Sequence, residues 1–207
     1  MSDVIHVQHP LVDHSLTILR DRNTGTSDFR MHAGIVSQIL IVEATRHLRT
    51  RTRAIQTPLA AFEGTELDHK IVVVPVLRAG LAMLMTVQEL LPDVGVGFVG
   101  LERDEETAEA REYYQKLPPI TPKHQVLVLD PMLATGGSLD ETVTILNQRD
   151  PGEIMLVSIV SAPEGIQRIQ SRYPDVTIIT AAIDECLNDQ MFIVPGLGDF
   201  GDRYFGT

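Results

Sequence analysis

One stretch of the chain combines the residue types that a phosphate site needs. Residues 126–129 read Val-Leu-Val-Leu and are followed by Asp130, a short loop and then Thr135-Gly136-Gly137-Ser138. The two glycines carry no Cβ, so the backbone can approach a ligand closely and turn its N–H groups toward it. If a helix begins at Ser138, the positive end of its dipole and two hydroxyl groups point at the same place. The pattern therefore predicts a cradle for one phosphate group, with Asp130 beside it.

The same stretch excludes two common nucleotide-binding motifs. It contains no lysine, which the G-x-x-x-x-G-K-[ST] loop requires, and it lacks the G-x-G-x-x-G dinucleotide fingerprint. We therefore expect a monophosphate whose sugar hydroxyls donate hydrogen bonds to the Asp130 carboxylate. The alternative for a bare Thr-Gly-Gly-Ser is a glycine turn that caps a helix and binds nothing.

Two further residues have chemistry suited to a phosphorylated ligand. Arg78 follows the apolar run 71–77 directly, and a guanidinium offers several fixed donors to phosphate oxygens. Asp199 lies between Gly198 and Phe200 in a glycine-rich segment. The alternatives are a surface arginine at the end of a strand and an aspartate that only forms a turn.

The hydrophobic pattern around these residues alternates between strands and helices. Continuous apolar runs rich in valine are typical of strands buried on both faces of a parallel sheet. The predicted strands are 71–77, 94–99, 125–129, 154–160 and 176–182, and the predicted helices are 28–46, 81–91, 138–149 and 164–173. This alternation predicts an α/β fold with a doubly wound, mostly parallel sheet. Because ligands bind beyond the carboxyl ends of the strands in such sheets, Arg78 and Asp130 are expected at the functional edge.

Two segments do not follow this alternation. Residues 102–119 are charged, with six acidic side chains between Glu102 and Glu112. They predict a hairpin that could close as a lid, with a solvated surface excursion as the alternative. Residues 194–207 are rich in glycine and show no helical periodicity, but 195–199 (Pro-Gly-Leu-Gly-Asp) has the composition of defined turns.

The overall composition narrows the class of protein. The 207 residues suit a single domain spanning 1–207, and a hydrophobic content of 43% suffices for a core. A formal charge of −11 argues against general nucleic-acid binding but leaves room for a local anion site. The single cysteine allows no intrachain disulfide, the N-terminus lacks the features of a signal peptide, and no apolar run is long enough to cross a membrane. We therefore expect a cytoplasmic protein with no nucleic-acid or membrane partner.

The segment from 126 to 138 resembles the binding motif for phosphoribosyl diphosphate (PRPP) of the type I phosphoribosyltransferases. Asp130-Pro131 stands where that family usually has two acidic residues, and it resembles the uracil branch in particular. Further segments that match this branch are 75–80 (Pro-Val-Leu-Arg-Ala-Gly), 162–165 (Ala-Pro-Glu-Gly), 193–199 and the ending 205–207. The resemblance runs from about residue 9 to the last residue. It implies transfer of the phosphoribosyl group of PRPP to uracil, which gives UMP and pyrophosphate.

The resemblance also implies which residues form the site. The implied PRPP contacts are Arg78, Arg103, Asp130, Pro131, Met132, Leu133, Ala134, Thr135, Gly136, Gly137, Ser138 and Asp199, and the implied uracil contacts are Ile193, Gly198, Asp199 and Phe200. Arg78, Asp130 and Asp199 are the implied catalytic residues. The implied cofactor is Mg²⁺ that is bound with PRPP near Asp199 and is not held by protein ligands alone.

Uracil is implied to be read by backbone groups, namely Ile193 N–H, Gly198 C=O and Phe200 N–H. This fits the acceptor–donor–acceptor order along one edge of the base. Phe200 stands where the branch usually has alanine, so a changed pocket rim is expected. Arg103 lies among carboxylates that could pair with it instead of PRPP.

Several alternatives about partners stay open. The resemblance implies a homo-oligomer and, for some members of the family, activation by GTP. The basic stretch Arg46, His47, Arg49, Arg51 and Arg53 could bind such an effector, or it could be a helix C-terminus followed by a solvated loop. Transfer to another base and an RNA-binding regulator on the same fold are the other candidate functions. Residues 195–199 argue against the first, and the charge of −11 argues against the second.

Overall fold

The computed structural model describes residues 3–46, 48–68, 70–103 and 110–207, with the side chains of Arg103 and Ala110 outside the description. The strands are β1 (Val4–His6), β2 (Thr50–Gln56), β3 (Ala61–Leu67), β4 (Lys70–Leu77), β5 (Gly95–Val96), β6 (Phe98–Arg103), β7 (Ala110–Lys116), β8 (His124–Leu129), β9 (Met132–Leu133), β10 (Glu153–Ser161), β11 (Thr177–Ile183), β12 (Cys186–Leu187) and β13 (Ile193–Val194). The helices are α1 (Pro10–Arg20), α2 (Thr26–Ala44), α3 (Leu81–Leu90), α4 (Gly137–Asn147), α5 (Pro163–Arg172) and α6 (Phe200–Phe205).

A mostly parallel sheet forms the centre of the fold. Its strands follow the order β1-β11-β10-β8-β4-β6-β7, with β5 also paired to β4 and β9 to β10. Neighbouring strands are parallel except for β6 and β7. From β4 the chain adds strands in one direction, and from β8 it adds them in the other, so the topological switch point lies between β4 and β8. The predicted doubly wound α/β fold is confirmed.

Helices cover both faces of this sheet. In β8, Leu127 and Leu129 pack into the core that contains α1, α2 and α3, whereas Val126 and Val128 pack into the core that contains α4 and α5. Successive side chains of a strand point to opposite faces, so a strand covered on both faces needs an apolar residue at every position. This requirement explains the continuous apolar runs in the sequence.

The prediction of one strand over 94–99 is wrong. β5 pairs with Val72 and Val73, while β6 pairs further along β4 with Val76 and Leu77. The break falls at Gly97, whose N–H donates to the Val73 carbonyl at 2.9 Å. The element β1, the helix α1 and the antiparallel hairpin of β2 and β3 were not predicted.

The C-terminal segment contains the helix α6, which the absence of periodicity failed to predict. The Asp199 side chain caps it by accepting a hydrogen bond from Asp202 N–H at 2.9 Å. At its other end Gly206 has a φ of +78° and donates its N–H to the Asp202 carbonyl at 2.7 Å. Six residues are too few for a helical period, but the aspartate and the glycine are recognised start and stop signals.

The charged segment 102–119 contains β7, which pairs antiparallel with β6 up to Arg103 opposite Ala110. Residues 104–109, which carry most of the acidic side chains of the predicted lid, lie outside the described residues. Closure of this hairpin stays a prediction. Within the described part of the chain, no helix combines the length and apolar content needed to cross a membrane.

Candidate active site

Arg78 and Asp130 follow neighbouring strands at the switch point. Pro75 of β4 lies opposite Leu129 of β8, so the loops after these two strands leave the same edge of the sheet. They also touch closely, because a Cβ built on Gly80 would lie only 2.3 Å from the Leu129 carbonyl oxygen. Only glycine fits at that position without displacing backbone. The backbone segments that carry the two candidate residues therefore lie close together at the edge where α/β sheets bind ligands.

The loop after Asp130 is fastened to β10 by its backbone. The Pro131 carbonyl accepts hydrogen bonds from Ile159 N–H at 2.9 Å and Val160 N–H at 3.0 Å, and β9 continues the pairing. The Leu133 side chain is buried in the core. Pro131 and Leu133 thus anchor the loop, and a ligand could meet Leu133 only through its backbone.

The loop turns into α4 at two adjacent glycines. Gly136 has a φ of +77°, and a Cβ there would lie 3.1 Å from the Gly165 carbonyl oxygen, so the position favours glycine on both grounds. A Cβ on Gly137 would meet nothing closer than Thr135 Oγ1 at 3.6 Å. The first N–H groups of α4 have no partner within the helix. Gly137 N–H donates to Thr135 Oγ1 in a long hydrogen bond of 3.4 Å. A helix N-terminus next to two hydroxyl groups is an arrangement that can accept a phosphate.

The Asp130 carboxyl has a pKa above the ordinary value for an aspartate. Burial raises its pKa from 3.8 to about 7, although a hydrogen bond from Met132 N–H acts in the opposite direction. That bond is 3.3 Å long. Burial therefore favours the protonated form of this carboxyl more than in an ordinary aspartate. Hydroxyl donors or a cation at this position would favour the ionised form.

A cavity of about 280 Å³ joins the phosphate loop to the C-terminal segment. Its lining residues are Ala79, Met132, Ala134, Gln190, Met191, Phe192, Ile193, Gly198, Asp199, Phe200 and Gly201. Met132 and Ala134 come from the segment predicted to bind PRPP, and the uracil candidates from 193–200 lie on the other side. Residues from three separated motifs thus face one cavity at the functional edge of the sheet.

Phe200 lines the cavity, but its side chain is almost fully buried. It is 2% exposed, and its ring packs edge-on against Phe29 with 5.2 Å between centroids. The changed pocket rim stays a prediction, because Phe200 lines the cavity while its ring packs in the core. Phe192, which is 46% exposed, is the aromatic residue that lines the cavity with an accessible side chain.

Asp199 lines the cavity, Arg78 directly precedes the lining residue Ala79, and both carry exposed charged groups. The Arg78 guanidinium lies 3.9 Å from the Asp202 carboxylate, and the Arg78 side chain is 65% exposed. The Asp199 carboxylate is also exposed. The Arg103 side chain, a further PRPP candidate, lies outside the described part of the chain.

The carboxylates suit a magnesium ion that arrives with a phosphorylated substrate. Among the described residues, no three side chains of His, Cys, Asp or Glu come together as a metal site. Mg²⁺ commonly binds one or two carboxylates together with substrate phosphates and water. Asp130, which precedes the phosphate loop, and Asp199, which lines the cavity, carry carboxylates of this kind.

A larger cavity of about 650 Å³ lies at the opposite edge of the sheet. Lys70, Gly95 and His124, the first residues of β4, β5 and β8, contribute to its lining. Parallel sheets present ligands at the carboxyl ends of their strands, and this cavity lies at the amino ends. Its position separates it from the loops described above.

Sequence reasoning missed a charged network behind the phosphate loop. Asp140 of α4 accepts hydrogen bonds from Arg168, Arg172 and Tyr173, which join α4 to α5 and the residue that follows it. Burial opposes ionisation of Asp140, but the bonds from Tyr173 and Arg168 outweigh it and lower the pKa of the carboxyl. Tyr173 lies 33 residues from Asp140 along the chain, so no local pattern could reveal the network.

A second missed group holds the C-terminal segment. Arg20, Asp184 and Arg203 bond to backbone groups at Gly196 and Leu197. Arg20 and Asp184 are 164 residues apart, and neither belongs to a recognisable motif.

Known proteins resemble this chain along its whole length. The family model described as Uracil phosphoribosyltransferase matches residues 6–207. A uracil phosphoribosyltransferase of Dictyoglomus thermophilum is 49% identical over 99% of both chains, and one of Campylobacter concisus is 46% identical over 100% of both.

Solved structures agree with this result. A protein from Aquifex aeolicus superposes with a TM-score of 0.94 at 35% identity and covers 99% of this chain and 98% of its own. An adenine phosphoribosyl transferase from Trypanosoma brucei has a TM-score of 0.63 at 11% identity, with 92% and 88% covered, and shows the shared fold alone. With a matching family model and relatives of full length, the chain belongs to the uracil phosphoribosyltransferase family.

Proposed function

We propose that the protein transfers the phosphoribosyl group of PRPP to uracil. The bond between the anomeric carbon and the diphosphate breaks, a bond from uracil N1 to that carbon forms, and the N1 proton is released. The products are UMP and pyrophosphate. The observation that carries the proposal is the cavity in which the phosphate loop faces the C-terminal segment across the switch point.

The phosphate loop supports binding of the 5′-phosphate. The N–H groups at the start of α4 and the Thr135 and Ser138 hydroxyls can donate to its oxygens, and the helix dipole favours its negative charge. Each such contact with the dipole is worth on the order of 0.3–2 kcal/mol. Asp130, which precedes the loop, can then accept hydrogen bonds from the ribose hydroxyls. These hydrogen bonds would stabilise the ionised form of its carboxyl.

The C-terminal segment supports recognition of the base. Ile193 N–H and Phe200 N–H would donate to the two carbonyl oxygens of uracil, and the Gly198 carbonyl would accept from N3–H between them. This edge of uracil lies away from N1, so the attacking nitrogen stays free to face the ribose. Placing the two reactants in line supplies much of the rate acceleration by proximity.

The charged side chains of Arg78, Asp199 and Asp130 support departure of the diphosphate. The exposed Arg78 guanidinium can donate to its oxygens in a fixed geometry. Bound Mg²⁺, with Asp199 and Asp130 as its protein ligands, would supply further neutralisation of the diphosphate charge. No protein nucleophile is needed, because stabilising charge on the leaving group suffices.

A panel of bases tests this proposal. Purified protein is incubated with PRPP, Mg²⁺ and uracil, cytosine, adenine, guanine or hypoxanthine, and nucleotides are separated by chromatography. We expect UMP from uracil and no comparable product from the other bases. Turnover of a purine without turnover of uracil would contradict the proposal.

We further propose that the protein is a homo-oligomer. The hairpin of β2 and β3 projects with exposed apolar side chains, among them Leu59 at 95% and Phe62 at 57% exposure. Apolar side chains concentrated on one projecting element favour burial against a protein partner. Light scattering should report a dimer or a larger assembly, and Leu59→Ser with Phe62→Ser should lower its mass. A monomeric wild-type protein would contradict this proposal.

A GTP effector bound by the basic stretch 46–53 is a separate proposal. Arg46 pairs with Glu43, and Arg51 and Arg53 both pair with Glu66, so much of the positive charge is already neutralised. Among the described arginines of the stretch, Arg49 forms no ion pair, so its charge would remain for the ligand. Titration of GTP should stimulate UMP formation, and Arg49→Ala with Arg51→Ala should remove that response.

A cytoplasmic location also stays a prediction.

A further inference from the structure

The backbone of Gly196 is held from both sides by one pair of charged side chains. Its N–H donates to Asp184 Oδ2 at 2.8 Å, and its carbonyl accepts from Arg20 Nη1 at 2.8 Å. The two side chains also bond each other, through Arg20 Nη1 at 2.8 Å and Nη2 at 2.6 Å. Arg20 and Asp184 thus close a ring of charge-assisted hydrogen bonds around a single residue of the turn.

The pair is partly buried. The Asp184 side chain is 4% exposed and that of Arg20 is 26% exposed. Removing such charges from water is unfavourable unless each polar atom finds a partner. Here both Asp184 oxygens and both terminal Arg20 nitrogens are used. The geometry of the ring is therefore fixed by the fold.

Gly196 lies between the groups proposed to read uracil. Ile193 precedes it by three residues, and Gly198 follows it by two. The next residue, Leu197, is held in the same way, since its carbonyl accepts from Arg203 Nη1 at 2.7 Å. Arg203 Nη2 donates in turn to the Asp21 carbonyl at 2.6 Å, which ties the turn to the end of α1. None of these charged side chains lines the cavity.

We infer that Arg20 and Asp184 are positioning residues for base recognition. They fix Gly196 and thereby set the distance and direction of the reading groups on either side of it, without contact with uracil. This inference rests on the proposed function. Displacement of a reactant by about 1 Å can cost about 10²-fold in rate, so a turn read through its backbone depends on whatever fixes that backbone.

Arginine is required at position 20 because one side chain serves two acceptors. Its planar guanidinium presents parallel donors to the Asp184 carboxylate and directs Nη1 also to the Gly196 carbonyl. A lysine ammonium keeps the charge but lacks this fork. Arg20→Lys should therefore retain the ion pair and loosen the turn.

The test separates the two substrates. The double variant Arg20→Met with Asp184→Asn removes both charges, so no unpaired charge is left in the interior. We expect KM for uracil to rise at least about tenfold, while the Kd for PRPP, measured by calorimetry with Mg²⁺, stays within about twofold. Amide exchange at residues 196–198 should accelerate. The matched control Arg149→Met with Asp175→Asn removes one positive and one negative charge at exposed residues that do not line the cavity, and it should change neither constant.

The alternative outcomes are distinct. A folded double variant with unchanged KM for uracil, or with uracil KM and PRPP Kd raised equally, overturns the inference. If the double variant does not fold, Arg20→Lys decides, with a selective rise of at least about threefold in KM for uracil expected and an unchanged KM overturning the inference. If the wild-type protein forms no UMP, the proposed function fails first, and the two failures are thereby distinguished.

Discussion

The phosphate loop and the C-terminal segment both present backbone groups to the cavity, but different forces hold them. The loop at 131–133 is fastened by a backbone ladder to β10. The turn at 196–197 is fastened by guanidinium and carboxylate groups from α1, α6 and the residue after β11. A backbone ladder can form with many different side chains, whereas the ion pairs depend on particular ones. The difference explains why the phosphate loop can be predicted from local sequence, whereas the contacts that hold the C-terminal segment cannot.

Because different interactions hold the two segments, substitutions should affect PRPP binding and uracil binding separately. Changes at the phosphate loop should act on PRPP and on turnover. Changes at the C-terminal turn should act on uracil. The following predictions test that separation from the largest effect to the smallest.

The Asp130 carboxyl gives the largest expected effect at the phosphate end. Asp130→Asn should lower kcat on the order of 10²-fold, because the amide cannot supply the preorganised negative charge. The KM for uracil should change little. Steady-state kinetics with both substrates varied measure this, with Asp28→Asn on the exposed start of α2 as control. A drop confined to uracil binding would break the proposed division.

The glycine pair at the start of α4 should control PRPP affinity. Gly137→Val adds a branched side chain beside the N–H groups and should raise the Kd for PRPP at least about tenfold, whereas Gly137→Ala should act more weakly. Both variants should fold, because a Cβ at this position meets no atom closer than 3.6 Å. Calorimetry in the presence of Mg²⁺ gives the Kd. Unchanged affinity in a folded Gly137→Val protein would refute the cradle.

Asp130 should also affect stability in a pH-dependent way. Its pKa of about 7 in the folded protein lies above the ordinary value of 3.8. As pH rises from about 4 to about 7, the unfolded chain loses this proton before the folded protein does, so wild-type stability falls over that window. At about 1.36 kcal/mol per pKa unit, Asp130→Asn should raise the unfolding free energy at pH 8 by up to about 4 kcal/mol, and by little at pH 4. Chemical denaturation at both pH values measures the difference, and an equal effect at both would contradict the assigned pKa.

Ile193→Val gives the smallest expected effect. The reading group is the backbone N–H, so the ratio of uracil to cytosine efficiency should stay within about twofold. The side chain is 5% exposed, and loss of one methyl group should lower stability by about 1 kcal/mol. Competition assays and thermal unfolding test the two parts. A large shift in the ratio would show that the side chain takes part in recognition.

The sequence predicted the frame of the fold and its functional edge. The strands that end before Arg78 and Asp130 are buried on both faces, and their apolar runs report this directly. The turn of Gly136 and Gly137 into α4 could be predicted because strand, loop and helix are contiguous. In these segments the structure depends on interactions between residues that are near one another in the sequence.

Other parts could not be predicted, because they depend on contacts between residues that are remote in the sequence or because the element is too short to show a periodic pattern. The helix α6 is too short for a hydrophobic period and forms where Phe200 packs against Phe29 of α2. The strands β2 and β3 are exposed, so no burial pattern marks them. The ring of Arg20, Asp184 and Gly196 joins three remote segments, and the uracil contacts were assigned only through resemblance.

The uracil-to-cytosine ratio of kcat/KM tests the central claim most directly. Cytosine places an amino donor opposite one N–H of the turn and a bare ring nitrogen opposite the Gly198 carbonyl, so two of the three contacts become repulsive. A site with buried polar complementarity can reject such an analogue by roughly 10⁴–10⁵-fold. We predict a ratio of that order for the wild-type protein with saturating PRPP and Mg²⁺. Comparable use of both bases would contradict the claim that the turn at 193–200 reads uracil.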